Sequence, residues 1–414
     1  MTARYGIGVI GGGLVGVCCA LALRRDGHEV TLIEPKGVGS GASFGNAGLM
    51  SSGGCVPIGM PGMIWKVPAM LRKADGPLLI RWRYAPRIAP WLLRLLAASR
   101  PARVEQISIA LASLLEAAQA AYRRLLSDED YDALIARRGL LFPYRSEASF
   151  ERAAPSRALR ARRGVEFQVL GRSELQRMQP ALGGKQAMGV YFPEARHTVD
   201  PQGLARHLAT SFTREKGETL TAAVDAIEIE RNGRPCVSMG ETRRRFDKIV
   251  VAAGAWSRRL AGMCGTRVPL DTERGYHAML PDPEVEVRVP MISGDHSVAV
   301  TPMSGGLRIS GTVEFAGLSA PPDYRCAERL VGIAERLLPG LNAKGAQYWM
   351  GFRPSLPDSM PVIGPAPRNH NVLYAFGHGH LGVTYAAITG QLIADCAAER
   401  RTAVDLGPFS AARF

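Results

Sequence analysis

Two features of this 414-residue chain have residue types and spacing suited to chemistry. One is a set of glycines, Gly11, Gly13 and Gly16, in the order G-x-G-x-x-G. The other is Arg353, the cation in GFRPSLPDSMPVIG (351–364). The glycines suit a tight turn, close approach to a pyrophosphate, and packing of a helix on a strand. A helix opening at this turn adds amide donors and positive potential for a phosphate. Glu34 follows at the end of the next apolar run, where a carboxylate accepts from ribose hydroxyls and disfavours a 2′-phosphate.

Arg353 stands before prolines at 354, 357 and 361, which exclude a helix interior and stiffen the chain. A rigidly held guanidinium is the natural bidentate clamp for a carboxylate. The competing reading is an ion pair inside the protein, with Asp358 as the nearby acid.

The elements that must position these residues follow from hydrophobic period. YGIGVI (5–10) reads as a buried strand, 14–26 as a helix, and EVTLIE (29–34) as a second strand, a β-α-β unit. The Gly/Ser/Asn-rich stretch 37–54 is a loop, and its segment GSGASFGNAGLM (39–50) can run along a long cofactor. Residues 58–100 read as proline-interrupted helix, and 107–126 as an amphipathic helix. Asp200-Pro201 opens a helix through about 215. A hairpin turns at Asn232-Gly233. DKIVVAAGAWS (247–257) is a strand entering a second glycine turn, and residues 268–315 are strand-rich. NVLYAFG (371–377) is a strand, followed by a helix over about 383–400.

Composition is globular, with 46% hydrophobic and 21% charged residues. The net charge of +14 brings no nucleic-acid motif with it. Between Lys66 and Arg103 there are nine Lys/Arg and one acid, Asp75, beside Trp65, Trp82 and Trp91. That mixture suits either an anionic membrane surface or an ordinary solvated helix face. Seven scattered cysteines make no metal spacing and point to a reducing, cytoplasmic setting. No metal site is expected, and Cys18 and Cys19 read as packing residues. The apolar N-terminal run mimics a signal peptide, but its glycines are placed for the turn instead.

Several motifs together resemble the D-amino-acid oxidase/dehydrogenase family of FAD enzymes, which includes glycine and sarcosine oxidases. They are GIGVIGGGLVG, the Ser43/Asn46 loop, GLLFPYR, VYFPEARHTVDP, VVAAGAWS, ERGYHAML, GFRPSLPDSMPVIG and GHGHLGVTYAAITG. The resemblance runs nearly end to end and looks closest to the D-amino-acid dehydrogenase branch. It implies a mixed α/β fold, with a Rossmann-like FAD-binding domain interleaved with an antiparallel-sheet substrate domain. The expected division is 1–65, 198–262 and 350–414 for the cofactor, with 66–197 and 263–349 for the substrate.

The resemblance also assigns residues. Gly11, Gly13, Gly16 and Glu34, with Leu14, Val15 and Pro35 beside them, match the ADP-binding set. Ser43, Asn46, Ala47, Gly48 and Leu49 match the loop passing the pyrophosphate and flavin. Val224 matches a backbone contact to adenine. Ala253, Gly254 and Trp256 match the second glycine turn. Gly379, His380, Leu381, Gly382, Val383 and Thr384 match a helix start aimed at the flavin edge.

Arg353 matches the carboxylate clamp. Tyr276 and His277 are neighbours on a strand and so face opposite sides, with Tyr276 preferred for the pocket. His378 is a candidate for cofactor or substrate contact. Arg274 is a second anion contact or a partner of Glu273, and Arg196 and His197 are candidates for pocket lining. No cysteine or histidine clearly matches a covalent flavin attachment, Cys326 included, so FAD is expected to be non-covalent. The implied reaction is hydride loss from Cα of a D-amino acid or cyclic secondary amine to flavin N5, with electrons passed to a respiratory acceptor such as a quinone. A glycine- or sarcosine-type oxidase and a non-catalytic electron-relay subunit are the alternatives. Peripheral contact with an inner membrane is the implied location.

Overall fold

The computed structural model describes residues 4–63 and 78–414. Trp65, Lys66, Arg72, Lys73 and Asp75 of the basic stretch lie outside the described residues. A six-stranded sheet begins at the strand Gly6–Ile10, whose neighbours are Glu29–Ile33 and Lys248–Val251, all parallel. Glu218–Leu220 extends one side, and Asn369–Phe376 then Val362–Ala366 extend the other. These short strands have the near-continuous apolar character of a sheet covered on both faces. On one face lie the first helix (Leu14–Arg25) and the last helix (Gly382–Ala397), in one core with Val9, Leu32 and Leu373. On the other, Ile10, Ile33 and Val251 pack against Ile227 and Val237 of a small antiparallel sheet. The two helices approach closely at Gly390, where a Cβ would stand 2.5 Å from the Cys18 carbonyl oxygen.

A nine-stranded sheet forms the second body, with Gln347–Ser355, Asp271–Leu280 and Gly306–Phe315 adjacent along one side. The helix Arg325–Leu337 covers one face, burying Ala327, Leu330 and Ala334 against Tyr276, Ala278 and Ile309. Gln347–Ser355 is an end strand of this sheet, which is why it tolerates Pro354. Its membership puts the crossing between the sheets after Ser355, beyond the expected boundary at 350.

Among the described residues no helix is long and apolar enough to cross a membrane, and all seven cysteines are free. Cys18 and Cys19 are fully buried. The expected helix over 107–126 begins earlier, at Pro101, with proline in its first turn. Asp200 caps the helix Pro201–Arg214 by accepting from the Gly203 amide.

Candidate active site

The two glycine turns lie against each other. Gly11 has φ +110°, and a Cβ there would stand 2.5 Å from the Ala252 oxygen and 2.9 Å from the Ala253 Cα. At Gly16 a Cβ would fall 1.9 Å from the Gly11 oxygen, so this glycine lets the first helix leave the turn. Gly12, absent from the sequence-derived set, is confined by Glu34, whose Cβ would be 2.8 Å from an added methyl group. The Gly12 amide donates to Glu34 Oε2 at 2.7 Å, which fixes the acid at the mouth of the turn. Gly13 differs, because a Cβ there would meet only Ser43 Oγ, at 3.6 Å.

Gly13 is the helix N-cap and no side chain caps it, while Ser43 Oγ accepts from the Leu14 amide at 2.9 Å. Val15 follows half-buried in the first turn. The second turn, Ala253–Trp256, leaves open space at Gly254, where φ is +54°. Val224 packs in the cluster with Ile10 and Ile33, at the carboxyl end of the first two strands. Pro35 is exposed just beyond Glu34. An open helix start, a glycine cradle and an acid at the strand end fit an adenine dinucleotide. Trp256 does not close this cradle. Its ring is half-exposed, edge-on to Phe352 at 5.6 Å.

The loop 39–50 lies between the two sheets. Asn46 Oδ1 accepts from the Gly48 amide at 2.8 Å, and the Thr198 amide donates to the Gly48 carbonyl at 2.9 Å. Leu49 pairs with His197 in a small sheet, and Ala47 is half-buried between these anchors. From the other side, buried Arg308 donates through Nη1 to the carbonyls of Phe44 and Asn46. Burial lowers the Arg308 pKa to about 10.

The last helix presents a second start, with Leu381 as N-cap and no side-chain cap. Gly379, with φ +52°, shapes the turn before it. Three bonds tie this start down: Tyr122 Oη to the Val383 carbonyl at 2.6 Å, the Ser51 amide to Thr384 Oγ1 at 3.3 Å, and Tyr385 Oη to the Gly54 carbonyl at 3.0 Å. The Leu381 amide donates to the His378 carbonyl at 2.9 Å, so the helix proper opens at Gly382, and its N-terminal end is a favourable place for developing negative charge.

The nine-stranded sheet turns one face toward these elements. Register sets which residues share it, since Glu273 lies opposite Arg353, Gly275 opposite Gly351, and His277 opposite Trp349. Arg353 crosses Gly275, where a Cβ would stand 2.2 Å from the guanidinium carbon. Its Nη1 donates to the Thr312 carbonyl at 2.9 Å and its Nη2 to the Gly311 carbonyl at 3.3 Å. Register slips there, and Thr312 has φ +58°, an unusual conformation for a β-branched residue. Burial lowers the Arg353 pKa, against the attraction of Glu273. Asp358 is not its partner, because that acid is held by Arg413 at 2.7 Å.

His277, not Tyr276, is the residue on this face. The Tyr276 ring is buried under the helix Arg325–Leu337, and its hydroxyl donates to Glu314 at 2.6 Å. Alternation predicted opposite faces correctly, but the helix takes the face that was assigned to the pocket. His277 Nδ1 lies 3.3 Å from the Gly45 carbonyl. Burial first, then Arg308 and Arg353, lower its pKa to about 3, so it is neutral. Trp349 stacks on it at 5.1 Å. That indole needs a slot, and Cβ atoms at Gly45 and Gly351 would approach it to 1.7 and 1.9 Å.

His378 is also not a surface of the site. It is buried, Nε2 bonded to Thr389 Oγ1 at 2.9 Å, with its pKa lowered to about 3 by burial. It braces the last helix from within. His380, two residues on, reaches Glu273 Oε2 at 2.8 Å. Arg274 turns to the opposite face, donating to the carbonyls of Gly317 and Ala320, so it is neither an anion contact nor a partner of Glu273. Arg196 bonds Gln119 and lies over the Tyr131 ring. His197 is fully buried, its pKa lowered by burial to about 4. No group of acids, histidines and cysteines able to hold a metal occurs among the described residues.

Sequence reasoning missed Gly12, Arg308, Thr312 and the pairing of Glu273 with His380. For Glu273 the signal was present, because alternation puts it on the face of Gly275 and His277. Nothing local announces a partner 107 residues away.

The family model for FAD dependent oxidoreductases matches residues 7–396. A D-amino-acid oxidase of Bradyrhizobium diazoefficiens is 37% identical, over 99% of this chain and 98% of the relative. A D-amino acid dehydrogenase of Paramagnetospirillum magneticum is 30% identical, over 98% of each. Among solved structures, glycine oxidase from Geobacillus kaustophilus has a TM-score of 0.73 and 21% identity, covering 100% of both chains. L-proline dehydrogenase from P. horikoshii has a TM-score of 0.75 and 18% identity, covering 100% of this chain and 98% of that one. These two share the fold.

Proposed function

We propose that this chain, which belongs to the FAD-dependent oxidoreductase family, oxidises a D-amino acid at Cα to its imine. Cyclic secondary amines such as D-proline or hydroxy-D-proline fall within the proposed class. Bound FAD supplies a hydride acceptor at N5. The chain's own residues bind, orient and shield. One observation carries the reading: Arg353 is inside the site, supported by two backbone carbonyls, while the acid nearest in sequence is taken by Arg413. A guanidinium so placed is available to a substrate carboxylate. An electron-relay subunit would need no such clamp.

The first glycine turn and Ser43 would hold the pyrophosphate, with Glu34 at the ribose. Leu381–Thr384 at the start of the last helix would face the flavin. Non-covalent binding is supported by Cys326, which is buried under the helix-covered face of the substrate sheet. The test is an anaerobic scan of D- and L-amino acids, prolines and sarcosine, following flavin absorbance. Bleaching by D-amino acids is expected. Bleaching confined to L-amino acids, or to glycine and sarcosine, refutes the assignment.

For the acceptor, we propose a membrane-held carrier such as a quinone. Trp82 is 78% exposed and Leu93 68%. Arg83 lies over the Trp82 ring at 5.1 Å, and Arg87 and Arg94 are exposed on the helix Ala85–Ala98. That helix buries Ile88, Trp91 and Leu95 on its other side. Exposed aromatic and basic groups in one short segment suit an anionic lipid surface. Holoenzyme should co-sediment with phosphatidylglycerol vesicles but not phosphatidylcholine vesicles, and W82A/R83E should not. Equal behaviour of the variant and the parent overturns the lipid contact. The 37% identity to a D-amino-acid oxidase favours a second reading, with oxygen as acceptor. Stoichiometric peroxide formed in air would select it.

A further inference from the structure

A free amino acid at neutral pH carries an ammonium group, whereas imine formation needs a lone pair on nitrogen. A proton must therefore leave the substrate nitrogen before the hydride does. We propose that Glu273, coupled to His380, takes that proton. The inference rests on Arg353 as the carboxylate clamp. It deepens that reading by giving the substrate's other charged end a partner.

Glu273 is directly opposite Arg353 across the strand pair, on the same face of the sheet. It is 2% exposed. Its Oε2 meets His380 Nε2 at 2.8 Å, and the His380 side chain is 41% exposed. A buried carboxylate beside the clamp is thus connected through one imidazole to solvent. The other acids near the clamp are committed elsewhere. Glu314 receives Tyr276 and Arg81 on the helix-covered side, and Asp358 is held by Arg413. His277 and His378 are closed off, since His277 lies against the Gly45 carbonyl and His378 is bonded to Thr389.

The charged and titratable groups that face Glu273 are His380, Arg353 and, along its own strand, Asp271. Asp271 accepts from Tyr84 at 2.9 Å and lies 3.9 Å from Arg258. Burial alone would raise the Glu273 pKa, but His380 and Arg353 outweigh it and hold the carboxylate ionised. In the step itself the substrate N–H bond breaks and an O–H bond forms on Glu273. The bonding pair stays on nitrogen as the lone pair. The neutral imidazole of His380 then takes that proton at Nε2 and gives up its Nδ1 proton to water.

The test is Glu273→Gln in the FAD-loaded enzyme, read as kcat/KM against pH. Expected is a loss of about 10²-fold at neutral pH. That loss should be restored by about tenfold per pH unit on raising the pH, as solution supplies neutral amine. The parent enzyme should be flat over the same range. Inhibition by isobutyrate, which has a carboxylate and no amine, should persist in Glu273→Gln and weaken in Arg353→Ala. If isobutyrate inhibition ignores Arg353, the clamp reading fails while the pH slope still judges Glu273. A parent-like profile in Glu273→Gln overturns the proposal. Should that variant not retain FAD, His380→Gln decides. It keeps a donor to Glu273 but cannot pass a proton, so the same slope is expected, and an unchanged profile overturns the relay.

Discussion

Replacing Arg353 with alanine should raise the KM for the amino acid by about 10²–10³-fold while FAD stays bound. Truncating one partner of a buried, hydrogen-bonded charge pair costs roughly 2–5 kcal/mol, and about 1.4 kcal/mol corresponds to each tenfold in affinity. Arg353→Lys should recover only part of the loss. A lysine ammonium is a point charge without the planar fork. It would also lose the paired donation to the Gly311 and Thr312 carbonyls. Flavin absorbance of the purified variant separates a binding defect from a folding defect, and steady-state kinetics give the KM. An unchanged KM would make Arg353 a strut that holds the bulge at Thr312.

The second large effect is expected at the first glycine turn, where two substitutions should fail differently. Gly16→Ala puts a methyl carbon 1.9 Å from the Gly11 oxygen, a backbone atom that cannot move alone. Overpacking of this kind costs roughly 1–3 kcal/mol, and here it also displaces the helix start. Both thermal stability and FAD content should fall. Gly13→Ala meets only Ser43 Oγ, at 3.6 Å, so the apo fold should melt as the parent does. Its FAD content should nevertheless fall, because the methyl group occupies the space a pyrophosphate would use. FAD per chain and apo melting temperature check both. If Gly13→Ala retains full FAD, the pyrophosphate does not pass that position.

The β-α-β unit was legible because its signals are local. Ile7 and Val9 inside a strand, the glycines at its end and Glu34 after the next strand all act over a few residues. The helix after Asp200-Pro201 was legible for the same reason, a cap and a first-turn proline. Cys18 and Cys19 packed as an apolar helical run requires. The nine-stranded sheet was harder. Its strands were visible, but which strand neighbours which is a long-range matter, and Gln347–Ser355 was split by the expected boundary.

The glycine spacing, the acid at Glu34 and the arginine among prolines were determined by sequence alone, since backbone sterics and charge belong to the residues themselves. Alternation likewise determined that Tyr276 and His277 face opposite ways. Only the tertiary structure decided which way each faced, because that depends on the side covered by the helix Arg325–Leu337. It also decided that Asp358 goes to Arg413, and that Glu273 meets His380 beside the clamp. Strand period fixes relative orientation, whereas partners and absolute faces arise only when distant segments pack.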